Sequence, residues 1–265
     1  MTRVSLLIIA FLFVGTSHAQ TVESFERSSA SRSLFPAGEI LNFRIAWGFI
    51  EAGEAQMVAA RMADGSRQLR AYAWNNGLFE SLYRVSDTIV STLDPQQFQP
   101  LHFSKILNEG GWHSRSLIEF DQKGRRANLA DTVLDGKGLP KPERSTDTTV
   151  TLDGLSFDIL SAFYYFRTLP LQVGKNHELL AVSGKKKYKL KVLVHRRERI
   201  DLDSGSYDCI VIEPILADDE LFKAKGKLTI WLTDDQQRIP VLVKAKIALG
   251  SIRVELKERI FRAGA

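Results

Sequence analysis

From Phe35 onward the chain is cut into short β-like runs, each closed by Gly, Asn, Asp or Pro, and this punctuation limits the fold more than any other feature. The runs are Ile40–Trp47, Gly53–Met62, Gln68–Trp74, Tyr83–Leu93, Pro100–Leu107, Arg115–Phe120, Arg125–Val133, Leu179–Val182, Lys186–His195, Ser206–Glu213, Lys225–Leu232, Pro240–Ala248 and Ser251–Ile260. Between them stand Ala63-Asp64-Gly65-Ser66, Asn75-Asn76-Gly77, Asn108-Glu109-Gly110-Gly111, Gln122-Lys123-Gly124 and Leu249-Gly250, all of hairpin composition. Connections this short force antiparallel neighbours, because parallel strands need a crossover of about a dozen residues or more. The expectation is a mainly β domain: a curved antiparallel sheet or unclosed β-barrel.

One segment departs from period two. In Ser156-Phe157-Asp158-Ile159-Leu160-Ser161-Ala162-Phe163-Tyr164-Tyr165-Phe166-Arg167, Phe157, Leu160, Phe163 and Tyr164 share a helical face, with Ile159 and Phe166 beside it. Ser156 is placed to cap, Asp158 favours the positive end, and Pro170 follows the close. A helix near 157–168, apolar around most of its circumference, is expected to be buried against or inside the sheet.

Two hairpins echo each other. Leu93-Asp94-Pro95-Gln96-Gln97-Phe98-Gln99-Pro100 and Thr233-Asp234-Asp235-Gln236-Gln237-Arg238-Ile239-Pro240 carry an Asp, a Gln pair and a Pro at matching offsets. Ala37-Gly38-Glu39 is likewise mirrored by Val173-Gly174-Lys175. Internal duplication and coincident turn chemistry both account for this.

The N-terminus is of another kind. Arg3 supplies a charge, Val4 to Val14 is almost wholly apolar, and Ser17-His18-Ala19 presents small residues at the cleavage positions, so residues 1–19 read as a secretory signal peptide. The apolar run is about half the roughly 20 residues a membrane-spanning helix needs, and no Cys follows for lipid attachment. Residues 20–34, rich in Ser, Arg and Glu, read as a flexible leader to a single domain over 35–262. The expected location is the periplasm or outside the cell, with no transmembrane segment in the mature chain.

Cys209 is the only cysteine, which excludes an intrachain disulfide and Cys-based zinc or redox sites. It sits in an alternating apolar run, where a buried structural thiol is expected. The formal net charge of +5 is too small to imply nucleic acid. Its densest stretch places Lys187, Lys189 and Lys191 on one strand face and Tyr188, Leu190, Val192 and Val194 on the other, as on a solvated face or a protected sheet edge, with contact to anionic lipid or glycan as the alternative.

Motifs of chemistry are missing. There is no G-x-S-x-G, H-E-x-x-H, P-loop or dinucleotide fingerprint, and in His177-Glu178 the second zinc histidine is replaced by Ala181. Asp201-Leu202-Asp203-Ser204-Gly205 lacks the distal Glu of a calcium loop and reads as a turn. No cofactor, metal or catalytic residue is expected. The remaining candidates are aromatic: Trp47, Trp74 and Trp112 at strand ends where a barrel opens, and Phe163, Tyr164 and Phe166 on the helix, as the lining of a ligand cavity or, alternatively, as core.

Three phrases together resemble the exported bacterial family described as domain of unknown function 3108. They are Phe35-Pro36-Ala37-Gly38-Glu39-Ile40-Leu41-Asn42-Phe43-Arg44-Ile45-Ala46-Trp47 with Ala52-Gly53, the helix Asp158 to Tyr165, and Trp231-Leu232-Thr233-Asp234-Asp235-Gln236-Gln237-Arg238-Ile239-Pro240-Val241. The resemblance implies export and no particular chemistry. At the level of architecture the chain is also similar to periplasmic lipoprotein carriers, which implies an open barrel around an apolar cavity. The functional expectation is non-catalytic binding of a lipid or other hydrophobic small molecule in the cell envelope. The alternatives are a structural module with an envelope protein partner and, third, an envelope-directed hydrolase.

Overall fold

A computed structural model describes residues 37–75, Gly77, Glu80, 83–184, 186–216, 227–247 and 250–262. The expected signal peptide and leader lie outside the described residues. Fifteen strands form one sheet. They are β1 (Glu39–Trp47), β2 (Ile50–Arg61), β3 (Arg67–Trp74), β4 (Ser86–Leu93), β5 (Pro100–Glu109), β6 (Trp112–Asp121), β7 (Arg126–Leu134), β8 (Thr146–Thr151), β9 (Ser156–Phe157), β10 (Asn176–Ser183), β11 (Lys186–Leu202), β12 (Gly205–Leu216), β13 (Leu228–Thr233), β14 (Pro240–Ile247) and β15 (Gly250–Phe261), with the helix α1 (Ile159–Phe166) between β9 and β10.

Each strand pairs with its neighbours in sequence, and β1 pairs with β15, so the order runs β8 back to β1 and then β15 back to β9. All pairings are antiparallel except β9 with β10. The sheet therefore curls nearly into a barrel whose seam falls between β8 and β9. Antiparallel alternation puts the β1–β2, β3–β4, β5–β6, β7–β8, β10–β11, β12–β13 and β14–β15 connections at one rim, called here the free rim. The remaining hairpins lie at the opposite rim.

At that opposite rim the seam is bridged by a side chain. Gln122 Nε2 donates to the Ser156 carbonyl at 2.8 Å, and its Oε1 accepts the Ser156 N–H at 3.4 Å, so the amide imitates a strand's pair of backbone bonds. Leu152 N–H donates to the Arg125 carbonyl at 2.8 Å beside it.

The mainly β, curved antiparallel architecture with a single buried helix agrees with the sequence reading. Two strands were not foreseen. In β8 (Thr-Asp-Thr-Thr-Val-Thr) the inward positions are Thr146, Thr148 and Val150, so its alternation is one of exposure and not of hydropathy. Ser156 was expected to cap the helix, but it belongs to β9, and Asp158 is the cap: its Oδ1 accepts from Leu160 N–H and Ser161 N–H, both at 2.9 Å. The extra oxygen of a carboxylate serves the helix and the sheet at once, as described below.

The echoed hairpins differ by one residue. In the first, Asp94 Oδ1 accepts from Gln96 N–H and Gln97 N–H, and Leu93 pairs with Pro100. In the second the same work is done by Asp235, one place later than the alignment implies, for Gln237 N–H and Arg238 N–H, and Leu232 pairs with Pro240. Gly38 and Gly174 are closer counterparts: each has positive φ (95° and 82°), and each donates its N–H across to the second strand of its hairpin, to Ala59 and Val194.

The lysine face is the solvated outer side of an interior strand. β11 lies between β10 and β12, so Lys187, Lys189 and Lys191 are not on a sheet edge, while Tyr188, Leu190, Val192 and Val194 are buried inward. The distal part of the β11–β12 hairpin folds over the outside of the sheet: Asp203 at its tip meets Arg44 of β1 at 2.7 Å, and Glu198 receives the indole N–H of Trp231. Ile200, Leu202 and Tyr207 pack on the cluster that contains Trp231 and Leu242, so the sheet buries apolar residues on both faces there.

Candidate functional site

The site is built around α1. At its N-terminus the Asp158 carboxylate, fully buried, also accepts from Ser161 Oγ at 2.7 Å and from Ser91 Oγ of β4 at 2.6 Å. Burial pushes this carboxyl up, and its hydrogen bonds oppose that shift. Just past the C-terminus, Arg167 forms a buried two-pronged ion pair with Glu39 at the start of β1 (2.8 and 2.9 Å) and donates to the Gln237 carbonyl at 3.1 Å. Burial alone would lower the Arg167 guanidinium, but the Glu39 charge and hydrogen bonds outweigh it and raise it. The helix thus spans the interior from β4 to β1, closing the rim opposite the free rim, with a charge-assisted anchor at each end.

Between this helix and the sheet lies a cavity of about 160 Å³, every lining residue of which is apolar. The helix contributes Ile159, Leu160, Ala162, Phe163 and Phe166. Phe43, Met57, Val192, Ile212 and Val254 face them from strands on both sides of the β1–β15 junction. The void exists because alanines stand where larger residues would close it: Ala55, Ala71 and Ala162 all border it.

The six aromatic candidates divide. Phe163 and Phe166 border the cavity. Tyr164 is buried with its ring 4.9 Å from the Arg167 guanidinium, as part of the anchor. Trp47, Trp74 and Trp112 stand half-buried at the free-rim ends of β1, β3 and β6, Trp112 beneath the Arg144 guanidinium at 4.7 Å. The sequence reading missed Ala55, Met57, Ala71, Val192 and Ile212, which carry no signal beyond inward alternation.

A second interior feature is polar. Asp87 of β4 and Glu109 of β5 are both buried and share a side-chain hydrogen bond. Asp87 Oδ1 also accepts the Asn108 N–H at 2.9 Å. Burial pushes the Asp87 carboxyl up to about 7, with the Glu109 carboxyl adding to the rise. Lys105 faces the same region; burial lowers its ammonium, against the pull of Asp131, Asp87 and Glu109. Paired glycosidase carboxylates flank a bond across about 5 Å or more, whereas these two touch each other.

Other reactive groups are occupied structurally. The Cys209 thiol is pushed up to about 12 by burial and nearby carboxylates, far from a thiolate at neutral pH. His195 Nε2 pairs with Glu213 at 2.6 Å, and Glu213 also holds Lys227 at 2.9 Å. His113 Nδ1 meets Asn108 Oδ1 at 3.0 Å. The Asp201–Gly205 segment is a hairpin turn in which Ser206 Oγ donates to Asp201. Among the described residues no three His, Cys, Asp or Glu side chains are grouped to hold a metal ion. Among them, too, no helix is long and apolar enough to cross a membrane.

Comparison with known proteins adds a family and a fold. Residues 42–257 match the family model described as "Protein of unknown function (DUF3108)". No curated protein matches the chain. Among solved structures, a β-barrel-like protein of domain of unknown function DUF1849 from Brucella abortus superimposes with a TM-score of 0.54 at 8% identity, over 87% of this chain and 100% of that one. The hypothetical protein CT021 from Chlamydia trachomatis gives a TM-score of 0.35 at 9% identity, over 86% and 89%. A protein with a YmcC-like fold from Bacteroides fragilis gives 0.33 at 7%, over 86% and 98%. The first of these supports the barrel-like fold; the other two superimpose too loosely to carry an argument.

Proposed function

This chain belongs to the DUF3108 family of proteins of unknown function, and from that premise we propose that it is an exported, non-catalytic protein of the cell envelope that binds an apolar or amphiphilic ligand, such as the acyl chain of a lipid. The observation that carries the reading is the wholly apolar cavity between α1 and the sheet. An apolar void of about 150 Å³ stays dry and takes up a molecule the size of benzene, so one of about 160 Å³ is suited to a short hydrocarbon segment and not to a whole lipid. The ligand's remaining length stays outside the cavity.

Two further features support it. The anchors at Asp158 and Arg167 hold the helical wall in place, so the cavity is formed in advance and binding costs little ordering. The apolar run Val4 to Val14 and the small residues before Gln20 direct the chain out of the cytoplasm, to where envelope lipids are handled.

The test is cavity filling. Ala55→Leu with Ala71→Leu projects two larger side chains into the void, where the added atoms meet space instead of packed neighbours. The mature wild-type chain is expected to take up an environment-sensitive fluorescent fatty acid, with a lipid adduct visible by native mass spectrometry. The double variant is expected to lose uptake at unchanged or raised Tm. Equal uptake by the variant, or none by the wild type, ends the proposal.

A further inference from the structure

The free rim carries a feature that neither the core nor the cavity explains. Phe49, at the tip of the β1–β2 hairpin, is completely exposed (108%), and Ile50 beside it is 60% exposed. Such a side chain gains nothing from water, and the turn that presents it is braced: Gly48, at φ 60°, donates its N–H to the Ser251 carbonyl of β15 at 3.0 Å. On the same rim, in the β7–β8 connection, Leu139 is 60% exposed.

Charge accompanies these apolar tips. Lys137, Lys141 and Arg144 flank Leu139 within its connection, against Asp135 and Glu143. The Asp135 carboxylate accepts the loop's own Lys137 and Leu139 N–H groups (2.8 and 2.9 Å). Lys137 is exposed, Lys141 is half-buried near Asp135, and Arg144 is exposed with its guanidinium over Trp112. Lys246 stands exposed at the β14–β15 end of the same rim. The rim also carries exposed Glu51, Glu80 and Glu143, but with Arg84, Lys137, Lys141, Arg144, Lys186 and Lys246 its described residues hold an excess of cations. Exposed apolar tips on such a rim match a surface that is anionic outside and hydrocarbon within, which is a lipid bilayer bearing acidic headgroups.

We propose that the free rim is a docking surface for an anionic lipid membrane, entered by Phe49 and Ile50 and held by the lysines and arginine around Leu139. The inference rests on the cavity reading for its purpose: α1 closes the opposite rim, whereas Leu190, Pro214 and Leu228 carry the cavity wall towards the free-rim ends of β11, β12 and β13. A barrel standing on this rim meets the bilayer with the end away from α1.

Vesicle flotation tests it with the mature chain, using phosphatidylcholine vesicles with and without phosphatidylglycerol. Wild type is expected to float with the mixed vesicles, less with phosphatidylcholine alone, and less again as salt is raised. Phe49→Asp with Ile50→Asp is expected to weaken flotation about tenfold while fatty-acid uptake stays unchanged, since neither residue borders the cavity. Undiminished flotation of that variant overturns the docking surface. So does a wild-type dimer in sedimentation velocity that the variant abolishes, because the rim is then a protein interface. Vesicle binding that depends on Phe49 without any fatty-acid uptake sustains the surface and removes the cavity reading.

Discussion

At the scale of single residues the buried charges are the telling choices. Glu39 and Arg167 satisfy each other with two parallel bonds, the geometry in which a buried pair offsets its desolvation best. Asp87 has only the weaker pull of Lys105 against it, which burial and the Glu109 carboxyl outweigh. Its folded pKa, raised to about 7, exceeds that of an unfolded aspartate, so the native state binds the extra proton. Stability therefore falls as pH rises from about 4, where the unfolded chain ionises, to about 7, and stays at the lower level above that. Asp87→Asn retains an acceptor for Asn108 N–H and a donor towards Glu109 without the ionisation cost. Thermal melts should show the variant more stable than wild type by about 1 kcal/mol or more at pH 8, with the gap narrowing towards pH 5. A gap independent of pH would contradict this account.

At the scale of elements, α1 is eight residues long, too short to persist alone, and its existence depends on what holds its ends. Asp158 joins it to β4 through Ser91, and Arg167 joins it to β1 and to the Gln237 turn. The three phrases that resemble the family in sequence thus meet around this helix: Glu39 from the first, Asp158 from the second, and Gln237 from the third. Asp158→Ala removes four accepted bonds and leaves Ser91 Oγ without this acceptor in the interior. A loss of about 2 kcal/mol is expected in urea titration, above the usual value for an exposed cap, together with faster amide exchange confined to the helix. Uniform acceleration across the sheet would argue against a locally anchored plug.

At the scale of the whole molecule, the unusual property is a sheet whose first and last strands are paired while the seam falls mid-chain, between β8 and β9. The break exists because the chain there turns inward to make α1, and β9, a parallel neighbour of β10, is only two residues long. Gln122 stands in for the missing ladder at one rim. Gln122→Ala should cost about 1–2 kcal/mol by leaving the Ser156 backbone groups unpaired. Hydrogen exchange should locate the loss of protection in β8 and β9, with the β1–β15 pairing unaffected. If protection fell at β1 and β15 as well, the seam would not be a separate point of weakness.

What the sequence determined by itself was local: antiparallel hairpins from turns such as Asp64-Gly65 and Gly110-Gly111, inward faces from period two, and the helix from its change of period. It also carries the expectation of an export signal, in residues outside the described structure. The pairing of β1 with β15 was invisible, because no turn joins them and complementary backbone edges carry no residue code. β8 was invisible because two of its three inward residues are threonines. The cavity belonged to the tertiary structure altogether: Ala55, Ala71 and Ala162 read as ordinary core positions one by one, and only their convergence opposite Phe163 and Phe166 leaves a space that none of them fills. The candidate tryptophans, singled out at strand ends where a barrel opens, do stand at the free-rim ends of their strands, but the cavity lies deeper against α1 and none of them borders it.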